Sequence, residues 1–288
     1  MTTGHSRVTS QDEEDPSSTL KMFGAVTKAL RQVSSLTQEE FASRIRYSSA
    51  YVAKIEQGRR FPPRDLPKRA SVALGPSAGK VLTAAALALR RESGLTPGRP
   101  LWTGIEDEAI TLYAYECRGI PELLQPQAYA RTVLGCRVPP LSEAQITQRV
   151  SAQNTRQGCL LARPNTPFSF IIEQSVLERR IGGADIALAV VDHLLHIGGC
   201  TNVEVQIMPL RQEEHSGADG HIRLAEAPDH EWFGYTEGNG ASTLITARSS
   251  LSILLQRYGK LRSQALSCRA TVALLHEMRE TLTTRSQN

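Results

Sequence analysis

The chain has 288 residues, of which 40% are hydrophobic and 22% are charged, and its mean hydropathy is −0.27. This composition excludes a fibrous or wholly disordered chain, and the length allows one or two domains. The longest apolar stretch, residues 81–89, is far shorter than the ~20 residues that span a bilayer. The first twenty residues lack the basic and then apolar order of a secretory signal. We therefore expect a cytoplasmic protein with no membrane partner.

Positive charge is concentrated in one short part of the chain. Residues 21–74 contain eleven Lys or Arg and four Asp or Glu, a net charge of +7, whereas residues 1–20 carry −3 and the remainder sums to zero. This asymmetry indicates that one small module faces a polyanion, while the larger part of the chain has no electrostatic reason to do so. The alternative interpretation is a solvated face of charged side chains.

In chain order, an acidic tail comes first and a series of short helices follows. Residues 1–20 lack the apolar groups that would offset chain entropy, so we expect a disordered tail. Thr37 and Glu40 have capping-box spacing, and Gly58 can end a helix at positive φ. Together with apolar periodicity, these signals predict helices that begin near Phe23, Thr37, Ser48, residue 66 and residue 77. They form an all-α domain of about five helices over residues 21–93.

The second half of the chain mixes helical and strand patterns. A Gly- and Pro-rich stretch predicts a linker at residues 94–104, and residues 105–283 predict an α+β domain. The predicted helices lie at about 105–117, 126–135, 142–162, 184–197, 249–266 and 268–282. The predicted strands lie at about 168–172, 203–208, 220–226 and 231–236. The predicted fold class is thus an N-terminal all-α helix-turn-helix domain followed by an α+β C-terminal domain.

Residues 36–62 have the pattern of two short helices joined by a tight turn, with small polar residues at the start of the second helix. Ala42 is small where the two helices must approach each other. The segment resembles the Cro/lambda-repressor type of helix-turn-helix, also called the XRE family, over about residues 23–75. The resemblance rests on a Thr-Gln-Glu-Glu start, the small Ala, a Ser cap, an Ile-Glu pair and a terminal Gly-Arg-Arg, which all stand in register.

The resemblance implies roles for individual residues. Gln38 would contact a DNA phosphate at the start of the second helix, and Ser49, Ala50 and Lys54 would face base edges from the third. Further phosphate contacts are implied for Ser48, Tyr51, Arg59 and Arg60. The resemblance also implies a buried salt bridge between Arg31 and Glu56. These roles agree with physical preferences, since helix N-termini and basic side chains favour phosphates and Lys can bond to guanine.

One residue of the turn departs from the family's pattern. Arg46 stands where the family usually has Gly. If the turn requires positive φ at this position, Arg costs about 1 kcal/mol relative to Gly. The same substitution adds a cation near the duplex.

The larger part of the chain, over about 105–283, resembles the C-terminal domain of the WhiJ-like regulators of actinobacteria. The residues that carry this resemblance are 120–131, 156–164, 172–182, 202–209 and 261–266. Glu122 stands where that family usually has Gly. The resemblance implies a regulator whose C-terminal domain is not a known enzyme, and whose gene often lies beside one for a small companion protein in an antitoxin-like arrangement.

No residue pattern supports catalysis, a cofactor or a metal site. The chain has no G-x-S-x-G, P-loop, G-x-G-x-x-G or H-E-x-x-H motif, and its five cysteines form no C-x-x-C pair. His193 and His196 share a helix, but no third ligand at a fixed spacing accompanies them. Loop histidines that could offer a weak alternative metal site are His215, His221 and His230. Aromatic residues that could line a small-molecule pocket, but more often form core, are Trp102, Tyr113, Tyr115 and Tyr129.

These patterns together predict a sequence-specific transcriptional regulator that binds double-stranded DNA as a homodimer and is not an enzyme. The C-terminal domain is expected to receive a small-molecule or protein signal. The alternative prediction is an antitoxin-like protein that sequesters a small companion protein and autoregulates its operon. No catalytic residue, cofactor or metal ligand is assigned.

Overall fold

The structure is a computed structural model that describes residues 18–92, 98–238 and 241–286. The chain divides into two compact units, which we call the N-terminal unit (Met1–Gly104, with which Ala241–Thr243 group) and the C-terminal unit (Ile105–Gly240 and Leu244–Asn288). Most of the predicted tail, residues 1–17, lies outside the described residues, as do residues 93–97 of the predicted linker. Residues 98–104, also predicted as linker, instead form the start of a helix.

The described helices of the N-terminal unit are short and follow one another closely along the chain. They are α1 (Ser18–Val33), α2 (Gln38–Ile45), α3 (Ser49–Glu56), α4 (Leu66–Leu74) and α5 (Pro76–Glu92). Helix α6 (Gly98–Glu108) extends across the division between the units. The predicted all-α domain of about five helices is therefore confirmed.

Local signals fix where α2 and α3 begin and where α3 ends. The Thr37 hydroxyl accepts a hydrogen bond from the Glu40 amide while the Glu40 carboxylate accepts one from the Thr37 amide, so the predicted capping box is confirmed. Ser48 caps α3 by accepting from the Tyr51 amide. Gly58 has φ of +66°, and a Cβ there would lie 2.7 Å from the Lys21 Cα. This turn therefore requires glycine for both conformation and space.

A small apolar core holds these helices together. Gly24 of α1 lies against the end of α3, where a Cβ would come within 2.5 Å of the Ile55 carbonyl oxygen. Ala42 is likewise buried. The large side chains that fill the core around them are Leu20, Phe23, Phe41, Ile45, Ile55, Leu66 and Leu82.

The C-terminal unit is built on a six-stranded mixed sheet. Its strands are β1 (Thr111–Glu116), β2 (Phe168–Glu173), β3 (Val203–Met208), β4 (Ile222–Glu226), β5 (Trp232–Gly238) and β6 (Ala241–Ile245). The strand order is β3-β2-β1-β4-β5-β6, in which β1, β2 and β3 run parallel and β4 is antiparallel to both β1 and β5. Parallel neighbours need long crossovers, and here helices supply them.

The described helices of this unit lie in the crossovers and after the last strand. They are α7 (Gln127–Gly135), α8 (Glu143–Ala162), α9 (Gln174–Glu178), α10 (Ala184–Ile197), α11 (Arg248–Gln264) and α12 (Cys268–Ser286), and a 3₁₀ turn spans Glu122–Leu124. The predicted α+β fold class is confirmed. None of the described helices combines the length and the apolar character that a membrane span requires.

The helix predicted at about 105–117 is wrong over most of its length, since only residues 105–108 are helical, as the end of α6. Residues 111–116 form β1, which lies in the middle of the sheet between β2 and β4. A central strand is covered on both faces, so its apolar residues run almost without alternation and resemble a buried helix segment. Strand β6 and the five-residue α9 were also missing from the sequence prediction.

The aromatic residues considered for a ligand pocket belong to the core. Trp102, Tyr115 and Tyr129 are buried, and Tyr113 stacks on Tyr258 of α11 with ring centroids 4.9 Å apart. A cluster of buried side chains joins one face of the sheet to α11, and it includes Tyr115, Ile171, Ile222, Leu224, Leu251 and Leu261. Tyr113 and Tyr115 therefore stabilise the sheet, while the Tyr129 hydroxyl accepts a hydrogen bond from the Ile120 amide.

Candidate nucleic-acid interface

The turn between α2 and α3 is a left-handed cap at Arg46. This residue has φ of 59° and ψ of 45°, and its amide bonds back to the carbonyls of Ala42 and Ser43. Positive φ is strained for any residue with a Cβ, which explains why Gly is usual at this position. Arg46 adopts this strained conformation, and its exposed side chain places a cation at the surface of the turn.

The start of α3 presents small, exposed side chains. Ser48, Ser49 and Ala50 are all exposed, and so is Lys54 one turn later. The other side of the helix is buried through Val52 and Ile55. The residues predicted to face base edges therefore lie together on the solvent side of the helix, close to the helix N-terminus, whose dipole favours an anion.

The residues predicted to bind phosphate flank this surface. The Arg60 guanidinium lies over the Tyr51 ring, 3.7 Å from its centroid, and Arg59 beside it is exposed. A cation held against an aromatic face keeps its charge while its side chain is restrained. Cations therefore lie at the end of α3 as well as at the turn before it.

Gln38 has a structural contact that the sequence did not reveal. Its side-chain Nε2 donates to Glu56 Oε2 at 2.9 Å, and the residue is half-buried. A carboxamide nitrogen has two hydrogens, so one can hold Glu56 while the other remains available to a phosphate. Gln38 thus links the start of α2 to the end of α3.

Arg31 and Glu56 form a buried ion pair between α1 and α3. Arg31 Nε donates to Glu56 Oε1 at 2.6 Å and Arg31 Nη2 to Oε2 at 2.9 Å, while Arg31 Nη1 donates to the Leu36 carbonyl oxygen at 2.8 Å. The hydrogen bonds that Arg31 donates to the Glu56 carboxylate raise the pKa of Arg31. Loss of either partner leaves a buried charge without compensation and costs about 3–5 kcal/mol.

Sequence reasoning missed three residues that surround this site. Tyr47, Asp65 and Arg69 contact one another and contact residues of α2 and α3. Tyr47 lies within the helix-turn-helix pattern, but Asp65 and Arg69 lie outside it, in the loop and helix after α3. The available signal was the four-residue spacing of Tyr47 and Tyr51. This spacing brings the two rings together because a helix begins at Ser48 between them.

The C-terminal unit contains polar clusters, but their charges are paired internally. Arg156 donates to Glu106 through Nε at 2.9 Å and to Glu122 through Nη1 at 3.1 Å. Arg223 Nε donates to Glu116 at 2.9 Å. Glu122, the residue that departs from the family's usual Gly, is therefore a partner of a half-buried arginine. Within the described residues, no three His, Cys, Asp or Glu side chains are arranged to hold a metal ion.

Comparison with protein-family models assigns both units. A helix-turn-helix domain model matches residues 23–79, and a model described as a domain of unknown function, DUF5753, matches residues 101–277. The chain belongs to the DUF5753 family. No curated protein and no solved structure matches the chain. This member of the family therefore combines a helix-turn-helix domain with a C-terminal domain to which the family assigns no activity.

Proposed function

We propose that this DUF5753 protein is a sequence-specific DNA-binding transcriptional regulator that acts as a homodimer in the cytoplasm. In this proposal the N-terminal module is of the Cro/lambda-repressor type, and the WhiJ-like C-terminal unit receives a small-molecule or protein signal. The observation that carries the proposal is the exposed face of α3, where Ser49, Ala50 and Lys54 lie side by side between the cations of the turn and those of the following loop.

Charge supports the assignment of the partner. A module with a net charge of +7 displaces condensed counterions when it binds a duplex, so its affinity must fall steeply with salt. Phosphate contacts set affinity, whereas contacts with base edges set sequence preference. Arg59 and Arg60 belong to the first class and Lys54 to the second.

The salt dependence of DNA binding tests this assignment. If Arg59 and Arg60 each neutralise one phosphate, the double alanine variant should flatten the log–log salt slope by roughly 2. A matched control is the double variant Arg137→Ala with Arg149→Ala, which removes two exposed arginines from the C-terminal unit and should leave the slope unchanged. A full-length protein that binds no duplex at low salt would contradict the proposal as a whole.

Binding-site selection tests the proposed recognition face. Lys54→Ala should lose about 1–3 kcal/mol of discrimination at one base pair per half-site. An unchanged sequence preference in a folded Lys54→Ala protein would show that α3 does not read the duplex through this face.

Sedimentation of the full-length protein, alone and with the selected duplex, tests the proposed homodimer. Two modules on a two-fold axis would address half-sites about one helical turn apart. A protein that remains monomeric at micromolar concentration with DNA affinity intact would contradict this part of the proposal. Purification with a stoichiometric small protein would favour the antitoxin-like alternative.

A further inference from the structure

A series of ring contacts in the N-terminal unit joins four side chains from different elements. The rings of Tyr47 and Tyr51 stack with centroids 4.8 Å apart and an interplanar angle of 13°. The Arg69 guanidinium lies 4.9 Å from the Tyr47 ring centroid, and the Arg60 guanidinium lies 3.7 Å from that of Tyr51. We call Arg69, Tyr47, Tyr51 and Arg60 the stacked series. It connects α4 with the first turn of α3 and with the loop that follows α3.

Asp65 holds one end of the series in place with its carboxylate, which does not cap the helix that it precedes. It occupies the N-cap position of α4, where Asp normally accepts from a helix amide, yet its side chain makes no capping bond. Its carboxylate instead accepts from the Tyr47 hydroxyl and from Arg69 Nε, each at 2.5 Å. The carboxylate therefore stabilises the positions of Tyr47 and Arg69 instead of the first turn of α4.

Arg69 ties the same cluster to the turn of the helix-turn-helix. Its Nη1 donates to the carbonyl oxygen of Ile45 at 3.1 Å. Ile45 is the last residue of α2 and directly precedes Arg46, the strained left-handed cap. Arg69 therefore satisfies a carbonyl that the end of α2 would otherwise leave to solvent. One side chain thereby holds both the turn and the first ring of the series.

The far end of the series is a residue of the proposed DNA interface. Arg60 is one of the two arginines expected to neutralise phosphates, and Tyr51 lies on α3 itself. A long side chain loses rotamer freedom when it binds, and a side chain already held in place loses less. Restraint of Tyr51 and Arg60 in the free protein therefore favours the complex without a new contact to DNA.

We propose that Tyr47, Asp65 and Arg69 are positioning residues for DNA binding, which hold Tyr51 and Arg60 through the stacked series. This inference rests on the proposed function. Under this proposal, the three residues affect the affinity for DNA through Arg60. They have no part in the recognition of bases.

A double-mutant cycle in the full-length protein tests the inference, with the duplex recovered by binding-site selection as the probe. Tyr47→Leu removes the ring and should weaken binding about 3- to 10-fold, the range of a partly exposed cation–π and stacking contact. It should also lower the log–log salt slope by up to about 1, because Arg60 no longer reaches its phosphate in a fixed position. Tyr47→Phe keeps the ring and should recover most of the affinity.

The decisive measurement repeats Tyr47→Leu in the Arg60→Ala background. If Tyr47 acts through Arg60, the effects of Tyr47→Leu on affinity and on slope should largely disappear there. Thermal unfolding of each variant identifies loss of structure, and the salt slope of the folded fraction is a readout that loss of stability alone does not change. Asp65→Asn, which leaves the packing in place, should weaken binding in the same direction. Arg149→Ala, an exposed arginine of the C-terminal unit, is the control for charge removal.

Two results would overturn the inference while leaving the proposed function intact. In the first, Tyr47→Leu binds the duplex as tightly as the parent protein. In the second, half or more of the effect persists in the Arg60→Ala background, which would mean that Tyr47 acts on the module by another route. Failure of the parent protein to select any duplex is a separate outcome and contradicts the proposed function itself.

Discussion

The two units of this protein use their charged residues in opposite ways. In the helix-turn-helix module, Arg46, Lys54 and Arg59 are exposed. In the C-terminal unit, the side chains of Arg156 and Arg223 are only 16% and 14% exposed, and each is paired with glutamates. At these positions, the charge of the first unit lies at the surface, whereas that of the second unit is used within the fold.

The N-terminal unit also contains a buried ion pair, so exposed and buried arginines are not divided strictly between the two units. Arg31 and Glu56 are as deeply buried as the pairs of the C-terminal unit, and they fasten α1 to α3. The module therefore has an internal ion pair that holds α3 and a separate set of surface cations. This separation allows a surface cation to be removed without loss of the fold.

The largest expected effect is the loss of stability when the buried Arg156 is removed. Arg156→Leu leaves Glu106 and Glu122 without their shared partner and should cost about 3–5 kcal/mol of unfolding free energy. Arg59→Ala, by contrast, should change stability by less than about 0.5 kcal/mol while it weakens DNA binding. Chemical denaturation of both variants measures the difference. Equal losses in the two variants would remove the distinction between inward and outward charge.

A second prediction concerns pH and His221. Burial, together with Arg223, Arg118 and Arg257, lowers the pKa of His221 from 6.5 to about 3. The Glu237 amide donates to Nε2 at 2.9 Å and the Arg118 guanidinium faces Nδ1, so an imidazolium would find donors on both sides. The neutral ring is thus the form that the fold accepts.

The sign of the effect follows from this depressed pKa. Between pH 6.5 and pH 3 the unfolded chain binds a proton at His221 that the folded chain does not, so stability is present above this window and is lost as pH falls. At pH 5 the loss should be about 2 kcal/mol relative to neutral pH. Denaturation of the parent and of His221→Gln across this window measures it, because the glutamine oxygen can still accept from Glu237. Parallel pH profiles would show that His221 titrates normally.

A third prediction sharpens the role of Gln38. Because its amide donates to Glu56, Gln38→Ala should destabilise the module by about 1 kcal/mol in the absence of DNA, in addition to any effect on binding. Gln38→Glu is the informative comparison, since it places a second carboxylate against Glu56 and should cost more. Unchanged unfolding in Gln38→Ala would show that the hydrogen bond to Glu56 adds no stability to the module.

The smallest expected effect is a gain. Arg46→Gly relieves positive φ and should stabilise the module by roughly 0.5–1 kcal/mol. The matched control is Arg44→Gly, which places glycine at an exposed position in the last turn of α2 and should destabilise the module. Opposite signs for the two arginines, measured by thermal unfolding, would show that the strain at the turn is real. A loss at both positions would contradict it.

Much of the helix-turn-helix module was predictable because its signals are local. A Thr37 hydroxyl and a Glu40 carboxylate three residues apart reach the same helix end, and Gly58 adopts a conformation that the chain can specify by itself. The unusual Arg46 was visible as well, because a position where glycine is usual is one that favours positive φ. Such contacts depend on a few consecutive residues.

The middle of the sheet was not predictable in this way. Residues 111–116 become a strand because β2 and β4 pair with them from positions more than fifty residues away along the chain. The same holds for the partner of Arg156, since Glu106 and Glu122 lie on either side of β1 in sequence. Periodicity describes a segment's own faces and contains no information about which distant segment will cover them.

The sequence by itself determined the class of each domain and the ends of α2 and α3, because periodicity and capping are properties of neighbouring residues. Only the tertiary structure decided how those residues are held. Asp65 leaves its own helix uncapped to bond to Tyr47, Arg69 reaches back to Ile45, and Gln38 bonds to Glu56. Each of these bonds joins residues that are 18 or 24 positions apart. A side chain with several available partners is assigned to one of them only when packing of the apolar core brings the helices together.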